Sequence, residues 1–295
     1  MSDLMTCMSF GQLMEWILEE ERSRGTVFGV HRAYKADPGK GGEIFGRKLE
    51  NPIGPAAGPH TQLAQNIAAS YYAGARFFEL KTVQKMDGQE LASCINKPCI
   101  LAEDEGYNCE WSTELTVPDA MGEYIKAWFL LHVMAKEFEL GGQDGFQFNI
   151  SVGYDLAGIK TPKIDAFIEG MKEAKDTAVF KECQEWLLDH TDLFQHVNAE
   201  DIKRIPSAVC NSATISTLHG CPPKEIESIA DYLLKEKHLN TFIKCNPTLL
   251  GYEFARKTMD EMGYDYMAFG DFHFLDDLQY EDCLLYTSPS PRDRG

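Results

Sequence analysis

Two lysines and a cysteine stand at places where a parallel α/β fold does its chemistry. Lys81 ends the run Phe77-Phe-Glu-Leu-Lys81-Thr82, and Lys244 ends Thr241-Phe-Ile-Lys244-Cys-Asn246. Between them Cys221 lies in Ser216-Thr-Leu-His219-Gly-Cys221-Pro-Pro223, and upstream Asn51-Pro-Ile-Gly-Pro-Ala-Ala-Gly58 closes an apolar run with small residues. Cations, a thiol and bare backbone at strand ends suit a flat, electron-carrying ring. A cation beside such a ring stabilises its reduced, anionic form. A thiolate beside it could take a substrate proton, helped by His219 or by a helix N-terminus starting near Pro222. Small side chains at Ala56, Ala57 and Gly58 would let the ring lie against backbone.

The elements that must position these groups alternate. Phe10, Leu13, Met14, Ile17 and Leu18 predict an amphipathic helix over 8–24, and a short hairpin is expected near Ile44–Gly46. From residue 51 strands are predicted at 52–57, 76–82, 146–152, 208–216, 241–245 and 264–269. Helices are predicted at 61–73, 120–138, 163–190, 223–237 and 252–262, the fourth opened by Pro222 and Pro223 and the last closed by Gly263. A long polar loop spans 84–118.

Strand–helix alternation argues for a parallel sheet. A doubly wound sheet would want a glycine-rich phosphate turn after its first strand. Gly54-Pro-Ala-Ala-Gly58-Pro is no such turn, and its prolines remove amide donors. Polar residues instead end several different strands, the habit of a (β/α)8 barrel. The expectation is an incomplete (β/α)8 TIM barrel with about six of its eight strands.

Composition bounds the function. The chain has 295 residues, 44% of them hydrophobic, and a formal net charge of −18. That charge opposes nucleic acid and anionic membranes as partners. No apolar run is long enough for a membrane span, and no secretory signal opens the chain, so a cytoplasmic location is expected. Nine cysteines show no CxxC pair, and Cys94, Cys99 and Cys109 lack zinc or ferredoxin spacing, so no metal site is expected. Glu103, Asp104 and Glu105 read as a solvated acidic loop.

The last residues break the pattern. Cys283-Leu-Leu-Tyr-Thr-Ser-Pro-Ser-Pro-Arg-Asp293 is similar to the translation of a sequencing-library transposase adapter. The expected organisation is a helix and extension over 1–50, a truncated barrel over 51–282, and an adapter-derived artefact over 283–295.

The motif order NPIG-x-AAG, E-x-K-T, an Asn-bearing strand, S-x-x-H-G-C-P-P and I-K-x-N-P resembles the FMN-dependent dihydroorotate and dihydropyrimidine dehydrogenase barrels. The strings GPAAGPHTQLAQNI, FFELKTVQ, AEDE, EWSTE, LHGCPPKEIE and NPTLLGY look closer still to a family named for a selenate reductase flavoprotein subunit. The resemblance implies an FMN-binding oxidoreductase barrel. It implies FAD, iron–sulfur clusters and an NAD(P)H site in a C-terminal portion absent from this chain. Its partners would be a small-molecule substrate or electron acceptor, pyrimidine- or purine-like, and other redox subunits. A role in selenate reduction rests on the family name alone.

By the same resemblance, Ala56, Ala57, Gly58, Lys81, Thr82, Asn149, Lys244 and Asn246 contact FMN. Lys81, Asn149 and Asn108 also face substrate, and Cys221 is the base. HGCPP departs from the dehydrogenases' N-x-SCPN loop, with Leu218 where they have asparagine, which argues against dihydroorotate as substrate. The isolated fragment is expected to be inactive and to bind FMN weakly, because such barrels grip the phosphate after strands seven and eight. Two other readings compete: a Schiff-base aldolase using a strand-end lysine, and a scaffold barrel that has lost its cofactor.

Overall fold

The structure is a computed structural model that describes residues 6–37, 39–88, 90, 93, 115–216 and 221–280. Helix α1, Phe10–Arg24, starts on a reciprocal cap between Ser9 and Gln12 and stops at Gly25, whose φ of 64° is left-handed. Its five predicted apolar residues are all buried. Phe10 meets Phe129 and Trp186 edge to face, which ties α1 to the helices that flank the sheet.

A hairpin follows, β1 (Gly42–Ile44) against β2 (Arg47–Leu49). Then come α2 (Ala64–Ala73), β3 (Phe77–Glu79), α3 (Val117–Glu137) and β4 (Gln147–Val152). Short α4 (Leu156–Ile159) leads into α5 (Pro162–Lys172), α6 (Ala178–Asp189), α7 (Ala199–Lys203) and β5 (Cys210–Ile215). α8 (Pro223–Asp231) runs into a π turn at Tyr232–Glu236, and β6 (Asn240–Ile243) follows. α9 (Tyr252–Glu261) and α10 (Phe272–Asp276) complete the described elements.

Strands β3, β4, β5 and β6 lie side by side in chain order, all parallel. The sequence explains which face of the sheet meets the helices. Gln147-Phe-Asn-Ile-Ser-Val152 alternates polar and apolar, so one face is Gln147, Asn149 and Ser151 and the other is Phe148, Ile150 and Val152. The apolar face joins Phe78, Leu80, Ala213 and Ile215 in the core with α3 residues such as Tyr124, Trp128 and Leu131. Burying each large apolar side chain there contributes about 1.5–3 kcal/mol.

The polar face looks into a lumen, because the sheet curls. β4 and β5 separate β3 from β6, which in a flat sheet would put them about 14 Å apart. Yet the rings of Phe77 and Phe242 lie 5.8 Å apart, and Lys244 Nζ lies 3.6 Å from Glu79 Oε1. A doubly wound sheet cannot make those contacts; an arc of a barrel does. The hairpin plugs the N-terminal end of the lumen. Phe45 packs on Phe242, and Gln147 Nε2 donates to the carbonyls of Ile44, Arg47 and Lys48.

Two predicted strands take another form. Over 52–57 the chain lies along β3, its Ile53 and Pro55 carbonyls accepting from Arg76, Phe77 and Glu79. Pro52 and Pro55 have no N–H to return, so no regular ladder forms. Gly54 is required there: a Cβ would sit 1.5 Å from the Phe77 carbonyl oxygen. Over 264–269 there is a turn, not a strand. Arg256 takes the carbonyls of Tyr264 and Met267 that a ladder would have used.

Candidate functional site

The lumen wall and its C-terminal rim bring together four of the predicted groups, Lys81, Thr82, Asn149 and Lys244. Leu80 N–H donates to the Asn149 carbonyl, but Val83 N–H donates to that of Ser151. Three residues of one strand thus advance against two of the other. The register agrees, with Glu79 opposite Asn149 and Val83 opposite Val152. The extra residue is a β-bulge at Lys81–Thr82, a device that re-aims side chains near sites. It turns Thr82 inward, where its Oγ1 lies 2.8 Å from Ser151 Oγ. Lys81 is 4% exposed. Its carbonyl accepts from Tyr124 OH at 2.7 Å, which clamps the bulge to α3. Burial holds the Tyr124 phenol far above its ordinary value, so it stays a donor.

Asn149 sits on the inner wall at 1% exposure. Its Nδ2 donates to Thr214 Oγ1 at 2.6 Å, while its Oδ1 is buried with no partner among the described residues. A buried amide oxygen without a donor costs about 1–3 kcal/mol. Directly opposite in register stands Glu79, whose carboxylate meets Lys244 from across the lumen. Lys244 continues the ladder, its N–H donating to the Ile215 carbonyl, so it leaves β6 at the same end at which Lys81 leaves β3. At this rim Gly153 is forced by close approach, for a Cβ would lie 2.9 Å from the Ser216 carbonyl oxygen.

Other predicted residues are placed differently. Gly58 is buried, exchanging hydrogen bonds with the Thr61 hydroxyl and packing under the His60 ring, so it shapes a turn ahead of α2. Ala57 is half-buried and Ala56 exposed on the same loop. Asn246 is tied to a carboxylate from a later segment. Its amide donates to both oxygens of Asp277, which also accepts from Thr248, tying the turn after β6 to α10. Cys221 is half-buried just before α8, at the same end of the sheet. Pro222 and Pro223 follow it, so the helix start offers a sulfur no N–H from those two positions. Asn108 and His219 lie outside the described residues, as do Cys94, Cys99, Cys109, the 103–105 acidic run and the 283–295 segment. Among the described residues no cluster of three potential metal ligands exists. No helix there is long and apolar enough to cross a membrane.

A curled parallel sheet with polar groups at its C-terminal rim invites comparison with barrel families. The family described as "Oxidoreductase YgfK, N-terminal TIM-barrel domain" matches residues 28–287. The chain belongs to this family. A protein of Escherichia coli K12 named "Putative oxidoreductase YgfK" is 43% identical over 298 aligned residues, covering 96% of this chain. Its namesake in Escherichia coli O157:H7 matches equally. The chain spans 28% of the length of those relatives. The YgfK-type TIM-barrel domain is therefore the fold, and the predicted incomplete barrel agrees with it.

In this YgfK-type barrel, two contributors, Ser151 and Thr214, escaped sequence reasoning. Ser151 and Thr214 support Thr82 and Asn149, and Glu79 meets Lys244. The strict alternation in Gln147–Val152 was a signal for Ser151. Nothing local marks Glu79 as a partner of a residue 165 positions away.

Proposed function

We propose that this chain is the FMN-binding barrel of an iron–sulfur flavoprotein oxidoreductase, holding the ring at the C-terminal rim of the lumen. One observation carries the proposal: a buried Asn149 Oδ1 with no partner among the described residues lies on the wall of a lumen at whose rim Lys81 and Lys244 leave their strands. The donor set suits a flavin. Lys81 and Lys244 would face its electron-rich edge, and Asn149 Oδ1 would accept a ring N–H. Asn149 Nδ2 is committed to Thr214 Oγ1, which leaves Oδ1 as the atom with acceptor capacity to spare. Thr82 and Ser151 would line the approach, with the Ala56–Gly58 loop beside them. Bound FMN would supply reversible hydride and single-electron chemistry.

The chain's own residues would do the rest. The rim lysines favour negative charge where it develops. Cys221 Sγ is the candidate proton acceptor, and the polar wall suits a planar heterocycle carrying N–H and C=O groups. FAD, iron–sulfur clusters and an NAD(P)H site would belong to sequence beyond this chain, in keeping with the length of the relatives. The aldolase reading asks for a lysine in apolar surroundings. Lys244 stands beside a carboxylate instead, and hydroxyls surround the bulge that carries Lys81.

The test is flavin content. Produced as a polypeptide of the relatives' length, the protein should purify with one FMN on this barrel, released by acid and identified by chromatography. Lys81→Met with Lys244→Met should lose that FMN while retaining FAD. A folded full-length protein that holds no FMN, even after incubation with excess, would overturn the reading.

A further inference from the structure

Lys244 leaves an edge strand and is 43% exposed along its side chain, so nothing on its own strand holds it over the lumen. A lysine there keeps most of its rotamer freedom, worth about 2 kcal/mol of entropy. Glu79 changes that. Its side chain is 15% exposed, it rises from β3 on the opposite wall, and its Oε1 is buried with no hydrogen-bond donor among the described residues. A carboxylate in that position is costly unless a cation compensates it. Lys244 Nζ, at 3.6 Å, is the compensating charge.

We propose that Glu79 is the positioning residue of Lys244: it draws the ammonium inward across the lumen and sets the charge that a bound ring meets. The pair is neutral by itself. Asn149, opposite Glu79 in register, then stands beside a charge-balanced pair. The consequence for a flavin rests on the function proposed above. The pairing itself does not.

The experiment reads the pairing without any cofactor. The protein is treated briefly with an amine-acylating reagent, and the modification rate of each lysine is followed by mass spectrometry. In Glu79→Gln, Lys244 should react roughly two- to fivefold faster, the ratio that corresponds to losing a part-exposed ion pair. Lys203 and Lys257, exposed on distant helices, should be unchanged. Glu79→Asp keeps the charge and should fall between. Circular dichroism confirms that each variant is folded. Equal Lys244 rates in the parent, Glu79→Gln and Glu79→Asp would overturn the proposal.

The flavin arm is separate. In FMN-loaded protein, Glu79→Gln should raise the flavin midpoint potential, because a negative charge has left the site, and Glu79→Asp should largely restore it. An unmoved potential with altered Lys244 labelling would confine Glu79 to orienting the lysine and overturn its charge-setting part. Altered labelling in a protein that never binds FMN would sink the flavin reading and leave the pairing standing.

Discussion

Phe77 and Phe242 stand edge to face at 5.8 Å although two strands lie between their own. The contact exists only because the sheet curls, so it reports that curvature energetically. Edge-to-face pairs are worth about 0.5–1.5 kcal/mol beyond area burial. A double-mutant cycle of Phe77→Ala and Phe242→Ala, measured by urea unfolding, should give a coupling in that range. A flat sheet would give additivity. Phe45 contacts Phe242 at 4.9 Å, so Phe45→Ala should couple to Phe242→Ala as well.

Arg76 is wholly buried at the base of β3, stacked 4.0 Å from the Tyr71 ring centroid. It donates to Glu50 and to the carbonyls of Tyr71, Ala75 and Leu140. Glu50 in turn accepts from Gly142 N–H, so one ion pair joins the hairpin, α2 and the loop after α3. Removing one partner strands a buried charge. Glu50→Ala should cost about 3–5 kcal/mol in urea unfolding. Arg76→Met should cost a similar amount, and the double variant clearly less than the two together.

His132 should shape the acid side of the stability curve. It is buried between Trp128 and Phe146, and desolvation pushes its pKa down to about 3. The unfolded chain binds a proton near 6.5 and the native one does not, so stability is lost as pH falls below 6.5. The slope is about 1.4 kcal/mol per pH unit over that window. His132→Phe, which suits the aromatic surroundings, should remove the slope. Between pH 6.5 and 5 the variant should lose about 2 kcal/mol less than the parent in urea titrations. Parallel curves would contradict a neutral, buried imidazole.

Much of this was legible in the residues. The α1 stripe, the alternation of strands and helices, and both strand-end lysines follow from periods of 3.6 and 2 and from parallel-sheet logic. What was not legible is tertiary. The bulge at Lys81–Thr82 depends on how β3 registers against β4, which no local pattern states. Asn246 pointed to the lumen by alternation, but Asp277, 31 residues on, claims its amide. Residues 264–269 carry strand-like aromatics, yet Arg256 takes the carbonyls of Tyr264 and Met267.

Asn149 separates a structural amide from a binding one. If its Oδ1 exists to meet a ligand, the ligand-free fold bears the cost of leaving it unmatched. Asn149→Ala removes that orphan and also the bond to Thr214, two effects of opposite sign, each about 1 kcal/mol. Its net effect on unfolding should therefore lie within about 1 kcal/mol of the parent. FMN affinity, followed by quenching of flavin fluorescence, should fall about tenfold, the equivalent of one hydrogen bond left unmade. Thr214→Val should lower the affinity less, because it frees the amide to rotate without deleting the acceptor. A large loss of stability with unchanged FMN binding would instead make Asn149 a strut of the barrel wall.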